Sequence, residues 1–112
     1  MNMFEIIKFV ETQNALIKLS ELVQSFFSYL ESDENRKYNE YRVVKEINTQ
    51  IINIFMTDLR PHYPNIGEVM HHFYYDICEL DGMIHIYPSE GLIKAFSVLD
   101  IKHYSLILEK KV

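Results

Sequence analysis

Apolar residues recur at helical spacing through the first half of the chain. Between residues 15 and 31 they follow one another at intervals of three and four, at Leu16, Leu19, Val23, Phe26 and Leu30. This spacing predicts an amphipathic helix, and Asn14 is a suitable N-cap for it. A second stripe predicts another helix over residues 41–59, which ends at Arg60-Pro61 because proline cannot continue a helix.

The N-terminal segment carries a shorter apolar stripe in a different phase, made of Met3, Ile6, Ile7 and Val10. A change of phase means that the two stripes do not lie on one face of a single straight helix. We therefore expect a separate first helix over residues 3–11, broken near residues 12–14.

The second half of the chain has the pattern of a β-hairpin. Residues 71–88 hold two runs rich in aromatic residues and isoleucine, separated by Asp81-Gly82, and Asp-Gly is a strong signal for a two-residue hairpin loop. Such a loop places Cys78 opposite His85 and Asp76 opposite Tyr87. It puts one set of side chains on a core face, namely Phe73, Tyr75, Ile77, Ile84 and Ile86.

An alternative interpretation makes residues 66–80 a helix, with Asn65 and Glu68 as a capping box, and the fold all-α. We favour the hairpin because Phe73-Tyr74-Tyr75 is a poor helix former. Ser89 is expected to cap a short helix, and residues 104–109 alternate like a third strand. The predicted fold class is α+β, a single domain over 1–112 with two or three N-terminal helices packed on a small antiparallel sheet.

Charge is concentrated around the predicted hairpin. The chain has 16 acids and 11 bases, for a net charge of −5. No Lys or Arg lies between Arg60 and Lys94, whereas five acids do. This balance disfavours nucleic acids and anionic membranes and favours a basic protein partner. The candidate partner-binding residues are acids and tyrosines of this region: Glu68, Tyr74, Asp76, Glu79, Asp81, Tyr87 and Glu90.

The single cysteine, Cys78, excludes an intramolecular disulfide, which is typical of a reducing compartment. The first residues lack the basic and long apolar segments of a signal peptide, and no apolar run is long enough to span a membrane. We expect a cytoplasmic protein.

Two constellations could carry chemistry. Asp76, Cys78 and His85 would share one hairpin face, as in a Cys-His-Asp nucleophile, but no glycine-rich turn beside Cys78 offers an oxyanion hole. Four histidines occur between residues 62 and 85 without the His-x3-His or Cys-x2-Cys spacing of zinc sites. We therefore expect no catalysis, metal or cofactor.

In general character the chain is similar to small bacterial immunity proteins and antitoxin-like inhibitors, which are compact, acidic and free of catalytic motifs. That resemblance implies a stoichiometric inhibitor that occludes a basic toxin, such as a nuclease. The alternative is a structural or assembly module, a homo-oligomer (a homodimer in the simplest case) joined through the Ile-rich helix 41–59.

Overall fold

The structure, a computed structural model, describes residues 2–32, 39–65 and 70–110, where two long helices precede a three-stranded sheet. The helices are α1 (Met3–Glu31), α2 (Glu40–Ile54) and α3 (Glu90–Val98), and a π-helical turn (Phe55–Leu59) continues α2. The strands are β1 (Tyr75–Leu80), β2 (Met83–Pro88) and β3 (Leu106–Glu109), and a 3-10 turn (Met70–His72) precedes β1. The predicted α+β class is confirmed.

Helix α1 is continuous, so the predicted break near residues 12–14 and the predicted N-cap Asn14 are both wrong. The N-cap is Asn2, whose side chain accepts from the Glu5 amide while the Glu5 carboxylate accepts from the Asn2 amide. Residues 12–14 include neither glycine nor proline, so the backbone has no reason to leave the helix there. The change of phase marks a change of the apolar side of the helix instead of its end.

Helices α1 and α2 form an antiparallel pair. Lys18 on α1 bridges Asp58 on the turn after α2, and Glu11, further toward the start of α1, bridges His62. Helix α2 begins at the N-cap Asn39 and, with its π-helical turn, buries Val44, Ile47, Ile51, Phe55 and Leu59. The predicted helix over 41–59 is thus confirmed, and its end at Arg60-Pro61 as well.

The sheet has the order β1-β2-β3, with both neighbouring pairs antiparallel. Asp81 and Gly82 both have positive φ, 53° and 77°, the signature of a type I′ turn whose twist matches that of the strands. Asp76 lies opposite Tyr87 and Cys78 opposite His85, as predicted. Because residues 75–80 form a strand, the alternative helix over 66–80 and the all-α fold are wrong; residues 66–69 lie outside the described range.

The predicted third strand is confirmed by β3. The predicted cap is confirmed as well, because the Ser89 hydroxyl accepts from the Leu92 amide at the start of α3. The first predicted strand begins too early, however, since Met70–His72 form a 3-10 turn.

One hydrophobic core joins the helix pair to the inner face of the sheet. The Phe27 ring of α1 packs 5.0 Å from the Tyr75 ring of β1, and Phe55 lies 4.8 Å from Phe73, measured between ring centroids. The predicted core face of the hairpin is confirmed, because Phe73, Tyr75, Ile84 and Ile86 are buried and Ile77 is half-buried. The opposite face of the sheet therefore points away from the helices.

Candidate protein-binding face

The register of the three strands decides which side chains point away from the core. In antiparallel strands, directly opposed residues share a face, and faces alternate along each strand. Cys78 is paired with His85, and His85 with Ile107, so these three residues lie on the same side of the sheet. Every second residue along each strand, counted from them, lies on that side as well. We call this surface the outer sheet face; it consists of Asp76, Cys78, Leu80, Met83, His85, Tyr87, Ile107 and Glu109.

The outer sheet face is open to solvent. Leu80 and Ile107 are each 58% exposed and Tyr87 is 40% exposed, while none of the face's residues is fully buried. No described helix covers it, since the helices pack on the other side of the sheet. A sheet with one uncovered face that carries leucine, isoleucine and tyrosine is suited to contact another protein.

Asp76 and Tyr87 form a polar pair at one end of this face. The Tyr87 hydroxyl donates to Asp76 Oδ2 at 3.4 Å, and Asp76 Oδ1 accepts from the Ile77 amide at 2.9 Å. The negative charge of Asp76, together with Cys78, raises the pKa of Tyr87 above its usual value. Tyr87 therefore stays protonated and presents a fixed hydrogen-bonding phenol beside a carboxylate.

Cys78 and His85 are cross-strand neighbours in the middle of the face, as predicted, and Cys78 is exposed. The turn closest to Cys78 in sequence is Asp81-Gly82, which is occupied in closing the hairpin. The strand geometry thus places a thiol and an imidazole side by side on the outer sheet face.

The histidines do not gather into a site within the described residues. His71 and His72 lie in the 3-10 turn with ring centroids 3.9 Å apart, so they are not part of the strand predicted to begin at residue 71. His62 pairs with Glu11. Residues 2–32, 39–65 and 70–110 contain no group of three His, Cys, Asp or Glu side chains placed to hold a metal ion.

Glu79, a predicted binding residue, points to the helix side of the sheet and is engaged there. Its carboxylate accepts from Lys110 Nζ at 2.9 Å and from the Tyr41 hydroxyl at 3.5 Å. The pKa of Lys110 is raised by its hydrogen bond to Glu79 and by that group's charge. Desolvation first, and then the Glu79 charge, raises the pKa of Tyr41. Glu79 therefore does not belong to the outer sheet face.

Tyr74 and Glu90 lie beyond the end of the hairpin, where they line a mostly apolar groove of about 970 Å³. Glu90 is 3.7 Å from Lys94 one turn along α3. Asp81 lies at the opposite end, exposed at the hairpin turn. Glu68 lies outside the described residues. Of the six predicted residues that the structure describes, Asp76 and Tyr87 share the outer sheet face, and Asp81 is adjacent to it.

The apolar members of the face were not among the predicted binding residues. Leu80 and Met83 directly flank the Asp81-Gly82 loop, and Ile107 lies between half-buried Leu106 and buried Leu108 on β3. The alternation of residues 104–109 was the available signal, because it directs Ile107 to the face opposite that of its two neighbours.

Comparison with known proteins gives no match: no family model, no curated protein and no solved structure is similar to this chain at a significant level. Within the described residues, no helix combines the length and the apolar character that crossing a membrane requires.

Proposed function

We propose that this protein is a non-catalytic inhibitor of the immunity-protein or antitoxin type, which acts in the cytoplasm and occludes a basic toxin, such as a nuclease, with its outer sheet face. The observation that carries the proposal is the uncovered outer sheet face itself, where the Asp76–Tyr87 pair lies beside exposed Leu80 and Ile107. Aromatic and aliphatic side chains supply contact area to such an interface, and carboxylates supply attraction to a cationic partner.

The chemistry of the face fits a cationic protein surface better than a small molecule. Its residues come from three neighbouring strands and form a broad, uncovered surface, whereas small-molecule sites are concave. Asp76 and Glu109 carry negative charge on the face and Asp81 adds to it at the adjacent turn, while Tyr87 offers a rigid contact with a hydroxyl held in place. Tyrosine is enriched among the residues that dominate binding energies.

Two acids contribute less to the attraction than their sequence positions suggest. Glu79 is paired with Lys110 and Glu90 with Lys94, and both lysines lie outside the acidic stretch of the sequence. The proposal therefore assigns electrostatic steering to Asp76 and Asp81. In this mechanism the outer sheet face covers the partner's cationic substrate cleft and inhibits the partner because substrate can no longer enter the cleft.

The alternative self-association through helix 41–59 receives no comparable support. Most of its isoleucines serve this chain's own core: Ile47 and Ile51 are buried and Ile54 packs against them, while Ile52 is half-buried. Met56 is the large apolar residue of that helix left most open to solvent after Tyr41, at 37% exposed.

The experiment that tests the proposal is capture from a lysate of the native host on the immobilised chain, followed by elution in a salt gradient. We expect a cationic protein that is retained at low salt and released at high salt, because screening weakens exposed charge pairs. Adding purified chain to that protein should abolish its activity at one equivalent. A retained protein that is acidic, or whose activity survives excess inhibitor, would contradict the proposal.

A matched pair of variants locates the surface. The double variant Asp76→Asn/Tyr87→Ala removes the polar pair, while the new side-chain amide at position 76 can still accept from the Ile77 amide; Glu90→Gln makes the same change of charge away from the face. We expect the double variant to weaken retention more than about tenfold and Glu90→Gln to leave it nearly unchanged. Equal retention by wild type and double variant would show that the outer sheet face is not the binding surface.

A further inference from the structure

The first turns of α1 project from the body of the protein. Every residue from Asn2 to Glu11 is exposed, and Thr12 is the first buried residue of the helix. A helix of 29 residues is about 43 Å long at ~1.5 Å per residue, and the molecule measures 58 × 26 × 19 Å. The N-terminal third of α1 thus forms one end of an elongated molecule, and no core of described residues lies beneath it.

This projecting end is apolar on the side that faces away from the core. At about 100° per residue, positions 3, 6, 10 and 17 point roughly half a turn away from the core-facing Ala15, Leu19 and Val23, and position 7 points roughly a third of a turn away. We call this set the N-terminal stripe; it consists of Met3, Ile6, Ile7, Val10 and Ile17. Their side chains are between 42% and 69% exposed.

The stripe is bounded in both directions. Phe4 and Phe9 flank it and are 84% and 59% exposed, so the apolar arc is broad in the first two turns. Beyond Ile17, the same side of α1 continues with polar residues, namely Glu21, Gln24 and Ser28. A surface helix of a monomer has its apolar side toward the core, so the reversed pattern at residues 3–10, which Ile17 extends, calls for another partner.

The exposed area matches what a stable dimer needs. Summed over the stripe and the two flanking phenylalanines, the exposed fractions equal about four fully exposed large side chains, which is roughly 800 Å². A standard protein interface buries about 800 Å² on each partner. The largest apolar patch on an ordinary monomer covers about 300–600 Å².

The charges around the stripe argue against a membrane surface as its partner. Residues 2–17 contain two acids, Glu5 and Glu11, and one base, Lys8. Helices that bind anionic membranes in the interface carry several Lys or Arg on their polar side. Lys8 is also occupied, since its ammonium group lies 4.6 Å from the centre of the Tyr63 ring. A second, uncharged apolar stripe fits this one better.

We infer that a second copy of this chain covers the N-terminal stripe, so that the protein is a homodimer joined by its two α1 helices. The stripe lies opposite the body of its own chain, so two copies can bring their stripes together with both bodies on the outside. A two-fold arrangement uses the same surface on each copy. The outer sheet face stays free in this dimer, and the inference is therefore independent of the proposed inhibitor function.

Sedimentation equilibrium tests the inference at about 1–100 µM, the range in which the weakest interfaces of this area associate. We expect the wild type to show twice its chain mass of 13.4 kDa. Ile7→Glu/Val10→Glu should halve that mass, because two copies would then bury four unpaired carboxylates. Both positions are exposed in the monomer, so circular dichroism should show the variant folded.

Val98→Glu is the matched control, since Val98 is 85% exposed on α3 and lies outside the stripe. It should sediment like the wild type. A monomeric wild type would overturn the inference, whether or not it binds neutral phospholipid vesicles. A dimer that persists in Ile7→Glu/Val10→Glu would overturn it as well, since the copies would then meet through another surface.

Discussion

Tyr75 is the largest fully buried side chain, and its hydroxyl lies in the core between α1 and the sheet. No described residue completes a hydrogen bond with that hydroxyl, although the backbone of Tyr104 lies close enough to oppose part of the effect of burial. Burial is the larger influence and raises the pKa of Tyr75 well above its usual value of 10. A buried hydroxyl without a partner costs free energy that a phenyl ring does not.

We therefore predict that Tyr75→Phe leaves the free energy of unfolding at neutral pH unchanged or raises it by up to about 1 kcal/mol. The effect of the substitution on the free energy of unfolding is larger at alkaline pH. The pKa of Tyr75 is higher in the folded than in the unfolded protein, so the pH-dependent part of its contribution to the free energy of unfolding is fully present below pH 10. It is lost as pH rises from about 10 toward the folded-state pKa, since the unfolded chain releases the proton first.

Chemical denaturation at pH 8 and pH 11 measures both parts of this prediction. Tyr75→Phe should lose less stability between the two values than the wild type, whose slope from this group reaches at most about 1.4 kcal/mol per pH unit. Tyr41 and Tyr87 also have raised pKa values and are present in both proteins, so some slope remains. Equal losses in the two proteins would show that the hydroxyl is not buried as described.

At the scale of elements, Asn48 joins α2 to the edge of the sheet. Its side-chain amide donates to the Tyr75 carbonyl at 3.0 Å and accepts from the Tyr75 amide at 2.6 Å. It thus takes the place that the backbone of a further strand would occupy beside β1. An edge satisfied in this way is less open to pairing with another chain.

We predict that Asn48→Ala lowers the free energy of unfolding by about 1–3 kcal/mol, because it leaves two half-buried backbone groups without partners. Asn53→Ala is the control, because it also replaces Asn by Ala within α2, at an exposed position, and so changes the helix propensity by the same amount. It should be neutral or slightly stabilising. Thermal or urea denaturation of both variants gives the comparison. If the two variants have the same stability, the amide bridge does not hold β1 to α2.

The cross-strand register of the hairpin was predictable, whereas the start of its first strand and the continuity of α1 were not. Asp81-Gly82 permits a two-residue type I′ turn, and that loop length fixes every cross-strand pair from Tyr75 to Pro88. In α1, helical periodicity predicts a side that faces the core, and a change of its phase therefore predicts the end of the helix. The stripe at residues 3–10 does not contact the core, and a continuous helix can present different sides to different neighbours along its length.

At the scale of the whole molecule, the distribution of charge over the candidate site was the feature least well predicted from the sequence. The acidic stretch was identified from runs of residues without Lys or Arg, but Lys110 reaches Glu79 through the pairing of β3, far away in sequence. Lys94 similarly approaches Glu90 across one turn of α3. A neutralising side chain can come from a strand far away in sequence, as Lys110 does, or from just beyond the acidic stretch, as Lys94 does, so a net charge by segment overstates the field at the surface.

The molecule thus offers two separate surfaces, the outer sheet face for a basic partner and the N-terminal stripe for a second copy. Cys78 is a natural reporter for the first, because it is the only cysteine of the chain and lies exposed in the middle of the outer sheet face. The stripe is on α1, and its pairing leaves Cys78 accessible. Alkylation of the thiol therefore separates the two surfaces without any substitution.

The most direct test of the central claim is the rate at which a small thiol reagent alkylates Cys78, with and without a saturating amount of the captured basic partner. If that partner covers the outer sheet face, the rate falls by about tenfold or more, because a thiol buried in an interface is shielded from the reagent. An unchanged rate at full saturation would show that the partner binds elsewhere, and would contradict the account of this protein as an inhibitor that acts through its sheet.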